Sequence, residues 1–431
     1  MWGKVGLIRD NILFRRIIYA AFVSSLGDWF NSIAVITLVL TLTHSSLAVG
    51  VTLAMRVIPY LIAGPIGGVL SDRLRRTQVM IACDLIRSVL ALGFLFVLRM
   101  EDIWLLYVLS TTLVFFSAFY GPARSAYLSS IVKKENIGIA SSITTGLNGI
   151  AMILGFSLAG ITIAEFGVSI AFVFNAFSFI FSAFFLVKGA RSEFAQYRDS
   201  VMPIAKSKNA NVDVTKLIVS YWASFKIGVY GITRNKPVAF VVYLFMGGAI
   251  GGGAINVLIS VMVDQVFGGG SKGLGLLYAS LGAGTIVGSF TTERLFKGNH
   301  KRMQATVGLT LVLEALFQIF FVNSPNLSGA MLGLIGVGYA SALSNAMELT
   351  IIASLTPNEI QGRVFSVSET LKATLLGISM MLVGLLTSRV APQHVGDLGA
   401  IIIFCSGLLY TLMYKSYKRK DVEVIQGSNK I

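Results

Sequence analysis

Gly67-Gly68-Val69-Leu70-Ser71-Asp72-Arg73-Leu74-Arg75-Arg76 stands between two long apolar runs, and Gly288-Ser289-Phe290-Thr291-Thr292-Glu293-Arg294-Leu295 stands between two more, 221 residues later. In both, glycine and small residues lead into an acid, an arginine and a leucine in the same register. A second pair of loops repeats at nearly the same distance. Ser130-Ile131 through Glu135 and Gly138 matches Ser354-Leu355 through Glu359 and Gly362, at an offset of 224. Two matches at almost one offset, each in the same loop of its half, make the chain a duplication.

The runs on either side of these loops decide the architecture. A helix that crosses a bilayer needs ~20 mostly apolar residues. Such runs lie near 17–42, 47–70, 79–98, 103–123, 137–163 and 168–187, and again near 238–263, 273–291, 303–322, 327–352, 364–388 and 397–414. They are too long for the ~10-residue alternating strands of a membrane barrel, so helices are the only option. The sequence therefore predicts an all-α polytopic membrane protein with twelve transmembrane helices in two six-helix bundles. Residues 1–187 are expected to form the first bundle and residues 237–431 the second. Composition agrees. Of 431 residues 55% are hydrophobic and 13% charged, with a mean hydropathy of +0.77. A soluble domain carries about 25% charged residues. A soluble enzyme, a disordered chain and a nucleic-acid binder are excluded.

Charge placement gives the expected orientation. With the N-terminus inside, 29 of the 35 Lys and Arg fall in cytoplasmic segments and three in outside loops, namely Arg99, Lys272 and Arg389. Positive residues are retained on the cytoplasmic side, so both termini are expected there, in the cytoplasmic (inner) membrane. The +15 net charge is then a topology signal and calls for no nucleic-acid partner. The first run is too long for a cleavable signal and carries Asp28. The polar stretch 188–236 reads as a cytoplasmic linker. Val214, Leu217, Ile218, Tyr221, Trp222 and Phe225 make its second half an amphipathic helix lying in the interface.

The loop Gly68-Val69-Leu70-Ser71-Asp72-Arg73-Leu74-Arg75-Arg76 resembles the signature of the major facilitator superfamily. Gly68, Asp72, Arg73 and Arg76 match it, and Arg75 stands where glycine is usual. Gly121-Pro122-Ala123-Arg124, the run Ile131-Val132-Lys133-Lys134-Glu135, Leu26-Gly27-Asp28 and Gly362-Arg363-Val364 are similar to the drug and siderophore exporter branch, which includes macrolide effluxers and enterobactin exporters. The resemblance covers essentially the whole chain. It implies a secondary transporter working by alternating access, with a gating motif at Gly68, Asp72, Arg73 and Arg76 and at Glu293 and Arg294 in the second half. It also implies export of a drug-like compound or siderophore, driven by protons. One departure stands out: Gly155-Phe156-Ser157-Leu158-Ala159-Gly160 keeps the glycines of the exporters' fifth-helix motif and lacks its proline. The same fold running uptake or lipid translocation therefore stays open, as does a membrane channel or a non-transporting partner protein.

Eight ionisable residues fall inside the runs: Asp28, Arg56, Asp84, Arg87, Glu314, Glu348, Glu369 and Lys372. Each costs ~2.5–3.5 kcal/mol at the bilayer centre unless paired or wet. Asp28 and Arg56 lie at similar depth in adjacent spans and are expected to pair or to share a polar network, with Asn31 one turn from Asp28. A buried pair that breaks on protonation couples proton binding to switching; a static lock between two helices is the structural alternative. Asp84 and Arg87, three residues apart, are expected to satisfy each other near the cytoplasmic end of span three or to join the loop motif. Glu369 and Lys372 repeat that spacing, and Glu348 lies at comparable depth. A Glu348–Lys372–Glu369 cluster is expected, as a proton site or as a packed network. Glu314 is left without an assigned role, since the third helix of each triplet is peripheral in this superfamily. Asn256 follows the glycines Gly247-Gly248 and Gly251-Gly252-Gly253 and is expected to face a cavity. Cys83 and Cys405 form no metal or redox motif. No cofactor site, metal-ligand spacing, phosphate loop or catalytic constellation is found. The expected partners are a small-molecule substrate, protons and the lipid bilayer, with the chain a monomer.

Overall fold

The computed structural model describes residue 9 and residues 11–60, 75–133, 136–199, 214–296 and 299–428. No strand occurs among them. The helices are α1 (Ile12–Thr43), α2 (Ser46–Met55), α3 (Arg76–Gly93), α4 (Ile103–Ile131), α5 (Ile137–Phe166) and α6 (Val168–Asp199), then α7 (Val214–Arg234). They are followed by α8 (Lys236–Met262), α9 (Gly270–Phe296), α10 (His300–Val322), α11 (Leu327–Leu355), α12 (Asn358–Thr387) and α13 (Pro392–Ser428). Among the described residues 11 helices are long and apolar enough to cross a membrane, and Ser46–Tyr60 is a shorter apolar helix at the place of the second span. The twelve-span reading holds, with α7 as the additional, amphipathic helix. Phe96, Leu98 and Phe166 are each more than 70% exposed, as suits side chains that face lipid.

The chain forms two compact units. One comprises Met1–Leu217 with Gly269–Ala279, the other Ile218–Gly268 with Ser280–Ile431. In the first, α1 packs along α6 and α5, and α3 along α6 and α4. In the second, α8 packs along α13 and α12, and α10 along α13 and α11. The four main pairings of one unit are those of the other, shifted by one six-helix copy. The duplication read from the loops is thus a duplication of packing.

Two asparagines carry the same repeat in atomic detail. Asn11 caps α1, its Oδ1 accepting from Phe14 N at 2.9 Å, while its Nδ2 donates to Ile131 O at 2.8 Å. Asn235 caps α8, accepting from Val238 N at 3.4 Å and donating to Leu355 O at 2.9 Å. The offset is again 224. Each amide satisfies an orphan N–H at the start of the unit's first helix and an orphan carbonyl at the end of its fourth.

Glycine governs how closely α8 approaches its neighbours. A Cβ on Gly251 would strike Gly399 O and Ile403, and one on Gly253 would strike Ser379, while Gly252 has open space there. Close packing against α13 and α12 explains the first two. The chain between α5 and α6 is a single turn through Gly167, whose φ of +80° suits a residue without a side chain.

Candidate functional site

The first unit gathers its charges around Arg87. The Arg87 side chain is 3% exposed, and one nitrogen pairs with Asp84, whose carboxylate is fully buried. Ser182 Oγ donates to the other Asp84 oxygen at 2.7 Å. Arg87 also donates to Ser117 Oγ at 3.3 Å, and its guanidinium lies 4.3 Å from the Phe179 ring centre and 4.6 Å from that of Tyr120. The aromatic faces add cation–π attraction. Asp28 approaches the same guanidinium at 3.9 Å, with its side chain still 38% exposed. Gly27 makes this possible, because a Cβ there would lie 2.6 Å from Asn175 Oδ1 and strike Ser178. α1 therefore lies close on α6 beside the charge cluster.

Of the two arrangements expected for Asp28 and Arg56, a shared polar network forms and a direct ion pair does not. The ion-pair partner of Asp28 is Arg87 on α3, while Arg56 donates to Ser32 Oγ at 3.0 Å and that hydroxyl donates to the Asp28 carbonyl at 2.9 Å. The Arg56 and Asp28 charges act on each other at longer range. Depth along a helix is readable from sequence; rotation about its axis, which chooses between two arginines at one depth, is not. Asp84 and Arg87 do satisfy each other, and they join Asp28 in the helix interior. Asn31 is buried, with no hydrogen-bond partner for its Oδ1 among the described residues. Arg76, at the first turn of α3, donates to Ala126 O at 2.7 Å and ties α3 to α4. Gly68, Asp72 and Arg73 lie outside the described residues, as does the Glu293 side chain, and Arg294 is exposed in the last turn of α9.

The second unit brings Glu348, Lys372 and Glu369 together as expected. Lys372 Nζ donates to both Glu348 oxygens, at 2.8 and 2.7 Å, and lies 2.7 Å from Glu369 Oε1. The Glu348 side chain is 3% exposed and that of Glu369 62%. A cavity of about 400 Å³ lies beside this trio. Asn256, Glu369, Lys372 and, unforeseen, Glu314 line it. The face Phe245, Gly248, Ala249, Gly252 and Asn256 of α8 forms one wall at helical spacing. Asn256 donates to Gly252 O at 3.0 Å. Among the described residues no group of His, Cys, Asp and Glu is arranged to hold a metal ion.

Twelve spans in a duplicated packing, with an inward-turned charge cluster in one unit and a polar cavity in the other, define a helical membrane transporter of small molecules rather than an enzyme. The chain belongs to the Major Facilitator Superfamily, whose family model matches residues 17–379. It is 26% identical over 409 residues to the putative bacilysin exporter BacE of Bacillus subtilis (strain 168), covering 94% of this chain and 95% of that one. It is 23% identical over 429 residues to the enterobactin exporter EntS of Salmonella choleraesuis (strain SC-B67), covering 96% and 95%. Among solved structures, the peptide transporter POT in complex with sulfate superposes with a TM-score of 0.70 at 12% identity, covering 94% and 95%. A variant of the nucleoside transporter NupG superposes with a TM-score of 0.68 at 13% identity, covering 93% and 100%. These two speak for the fold alone.

Proposed function

We propose that the chain is a secondary exporter of a hydrophobic or amphipathic small molecule, such as a drug-like compound or siderophore. It works by alternating access and is driven by protons, with Asp28 as the coupling carboxylate. The observation that carries the reading is the division of labour at Arg87. Asp84 is fully enclosed and paired, whereas Asp28 meets the same guanidinium at the edge of ion-pair distance with more than a third of its side chain open. Protonating Asp28 releases one hold on Arg87 without stripping it of its counter-charge. Proton arrival thus changes the charge of the site by one while the core stays paired, as a coupling group requires. Export, rather than uptake, is supported by the two exporter relatives.

In this reading Asn31 and Arg56 extend the proton site, and Asn256, Glu348, Glu369 and Lys372 belong to the substrate cavity. The loops carrying Gly68, Asp72, Arg73 and Arg76, and Glu293 and Arg294, gate the cytoplasmic side. Residues 188–236 link the two bundles, and the chain acts as a monomer in the cytoplasmic membrane with both termini on the cytoplasmic side.

Uptake or lipid translocation is the second reading, favoured by the missing proline in α5. There Gly155 packs on Trp29 and Gly160 on Ser271 and Gly275, so the glycines serve close packing. Inverted membrane vesicles given a compound panel with and without a pH gradient separate these readings. Saturable, gradient-dependent accumulation of an amphipathic compound is the expected result. Unsaturable flux would mark a channel, and gradient-independent flux would remove the proton from the mechanism.

A further inference from the structure

The cavity of the second unit holds a carboxyl group without a partner among the described residues. Lys372 is held by both oxygens of Glu348 and by Glu369, so its positive charge is already matched by two carboxylates. Glu314 projects from α10 into the same cavity. It makes no ion pair or hydrogen bond with any other described residue. A carboxyl so placed in a membrane interior is stabilised as its anion only by a cation brought to it, and Lys372, the cation that lines the same cavity, is bonded to Glu348 and Glu369.

The neutral polar groups of the wall point to the chemistry of that counter-charge. Thr285 spends its hydroxyl hydrogen on Leu281 O at 2.9 Å, and Ser344 spends its own on Ala340 O at 2.8 Å. Asn345 spends its amide on Ser341 O at 2.8 Å. Their hydrogens go to their own helices, and what they turn to a guest is oxygen. A lining of acceptors around an unpaired carboxylate suits a ligand that only donates, and an ammonium group is such a ligand. An anionic guest would meet the carboxyl groups of Glu314 and Glu369. Gly248 and Gly252 bring no side chain into the space, and a Cβ on Gly252 meets nothing within 4 Å. Phe245, Leu281, Leu311, Val337 and Leu376 supply apolar wall for the rest of the guest. At about 400 Å³ the cavity falls in the range of small-molecule sites.

We propose that this cavity is a binding site for an organic ammonium group, with Glu314 as its anion and the neighbouring hydroxyl and amide oxygens as acceptors. The proposal deepens the transport reading by giving the cargo a positive charge, and it assigns the contact with that charge to Glu314, separate from the proton-coupling Asp28. The test is equilibrium binding to the purified full-length protein in detergent, with 2-naphthylmethylamine as the cationic probe and 2-naphthylmethanol as its neutral counterpart. Wild type is expected to bind the amine about tenfold or more tightly than the alcohol, the scale of a charge-assisted hydrogen bond. Glu314→Gln should abolish that preference, and Glu314→Asp should keep part of it. Gly252→Leu, which fills open space and leaves the fold unburdened, should weaken both probes. Equal binding of the two probes by wild type would overturn the proposal. So would an amine preference that survives Glu314→Gln, or binding indifferent to Gly252→Leu. No gradient is applied, so a failure of proton-driven flux would count against the export reading alone.

Discussion

Asp28 and Asp84 meet the same guanidinium, and their surroundings assign them opposite fates on substitution. Asp84 is fully enclosed, so Asp84→Ala leaves Arg87 buried with its principal partner gone. A loss of about 3–5 kcal/mol is expected, read as a lowered melting temperature of the purified protein; an unchanged transition would show that Asp28 alone sustains Arg87. Asp28→Asn, at a site with access to solvent and a 3.9 Å contact, should leave the transition nearly where it is. The second unit offers the converse test. Lys372→Met strands Glu348, whose side chain is 3% exposed, and should destabilise by a similar amount, whereas adding Glu348→Met should restore most of the loss. Failure of the double variant to recover would place the missing stability in packing. Much of this chemistry was legible as residue types: the i, i+3 pairs Asp84–Arg87 and Glu369–Lys372 stand out, and each is formed. The choice of Arg87 over Arg56 as partner of Asp28 was not legible, because it depends on helix rotation. Glu314 was passed over because a peripheral helix was expected to look away from the path, yet it lines the cavity.

At the scale of elements, the helices are placed by contacts that small residues permit and that two asparagines repeat. Asn11 and Asn235 each bridge the start of one helix to the last turn of another. Asn11→Ala and Asn235→Ala should each cost about 1–2 kcal/mol, the sum of a lost cap and an exposed carbonyl. Thermal unfolding measures this, and an effect confined to one site would show that only one copy depends on the bridge. The pair sits at the 224-residue offset, so a register comparison of the two halves contains the signal; single asparagines beside apolar runs do not announce their partners. Gly251→Leu should disrupt α8 against α13, since the added atoms meet Gly399 O and Ile403, while Gly252→Leu should fold. Equal loss of folded protein for both would contradict the packing reading of this glycine run. Sequence alone shows that glycines crowd this helix but not which of them face a neighbour and which a cavity.

For the whole molecule, span number and duplication were legible because a bilayer dictates both the length and the apolarity of every crossing. Orientation rests on the lopsided distribution of Lys and Arg. In a background with Cys83 and Cys405 replaced by Ser, Arg99→Cys and Arg389→Cys should react with an impermeant thiol reagent on intact cells. Lys301→Cys should react only after permeabilisation. The reverse pattern would invert the topology and with it the direction of transport. The central claim, that proton movement through Asp28 drives the carrier, is tested most directly in proteoliposomes holding either wild type or Asp28→Asn. An imposed pH gradient should drive accumulation of a transported amphipathic compound by wild type. The variant should lose that gradient-driven flux while still exchanging the compound down its own gradient. Undiminished pH-driven accumulation by Asp28→Asn would contradict it.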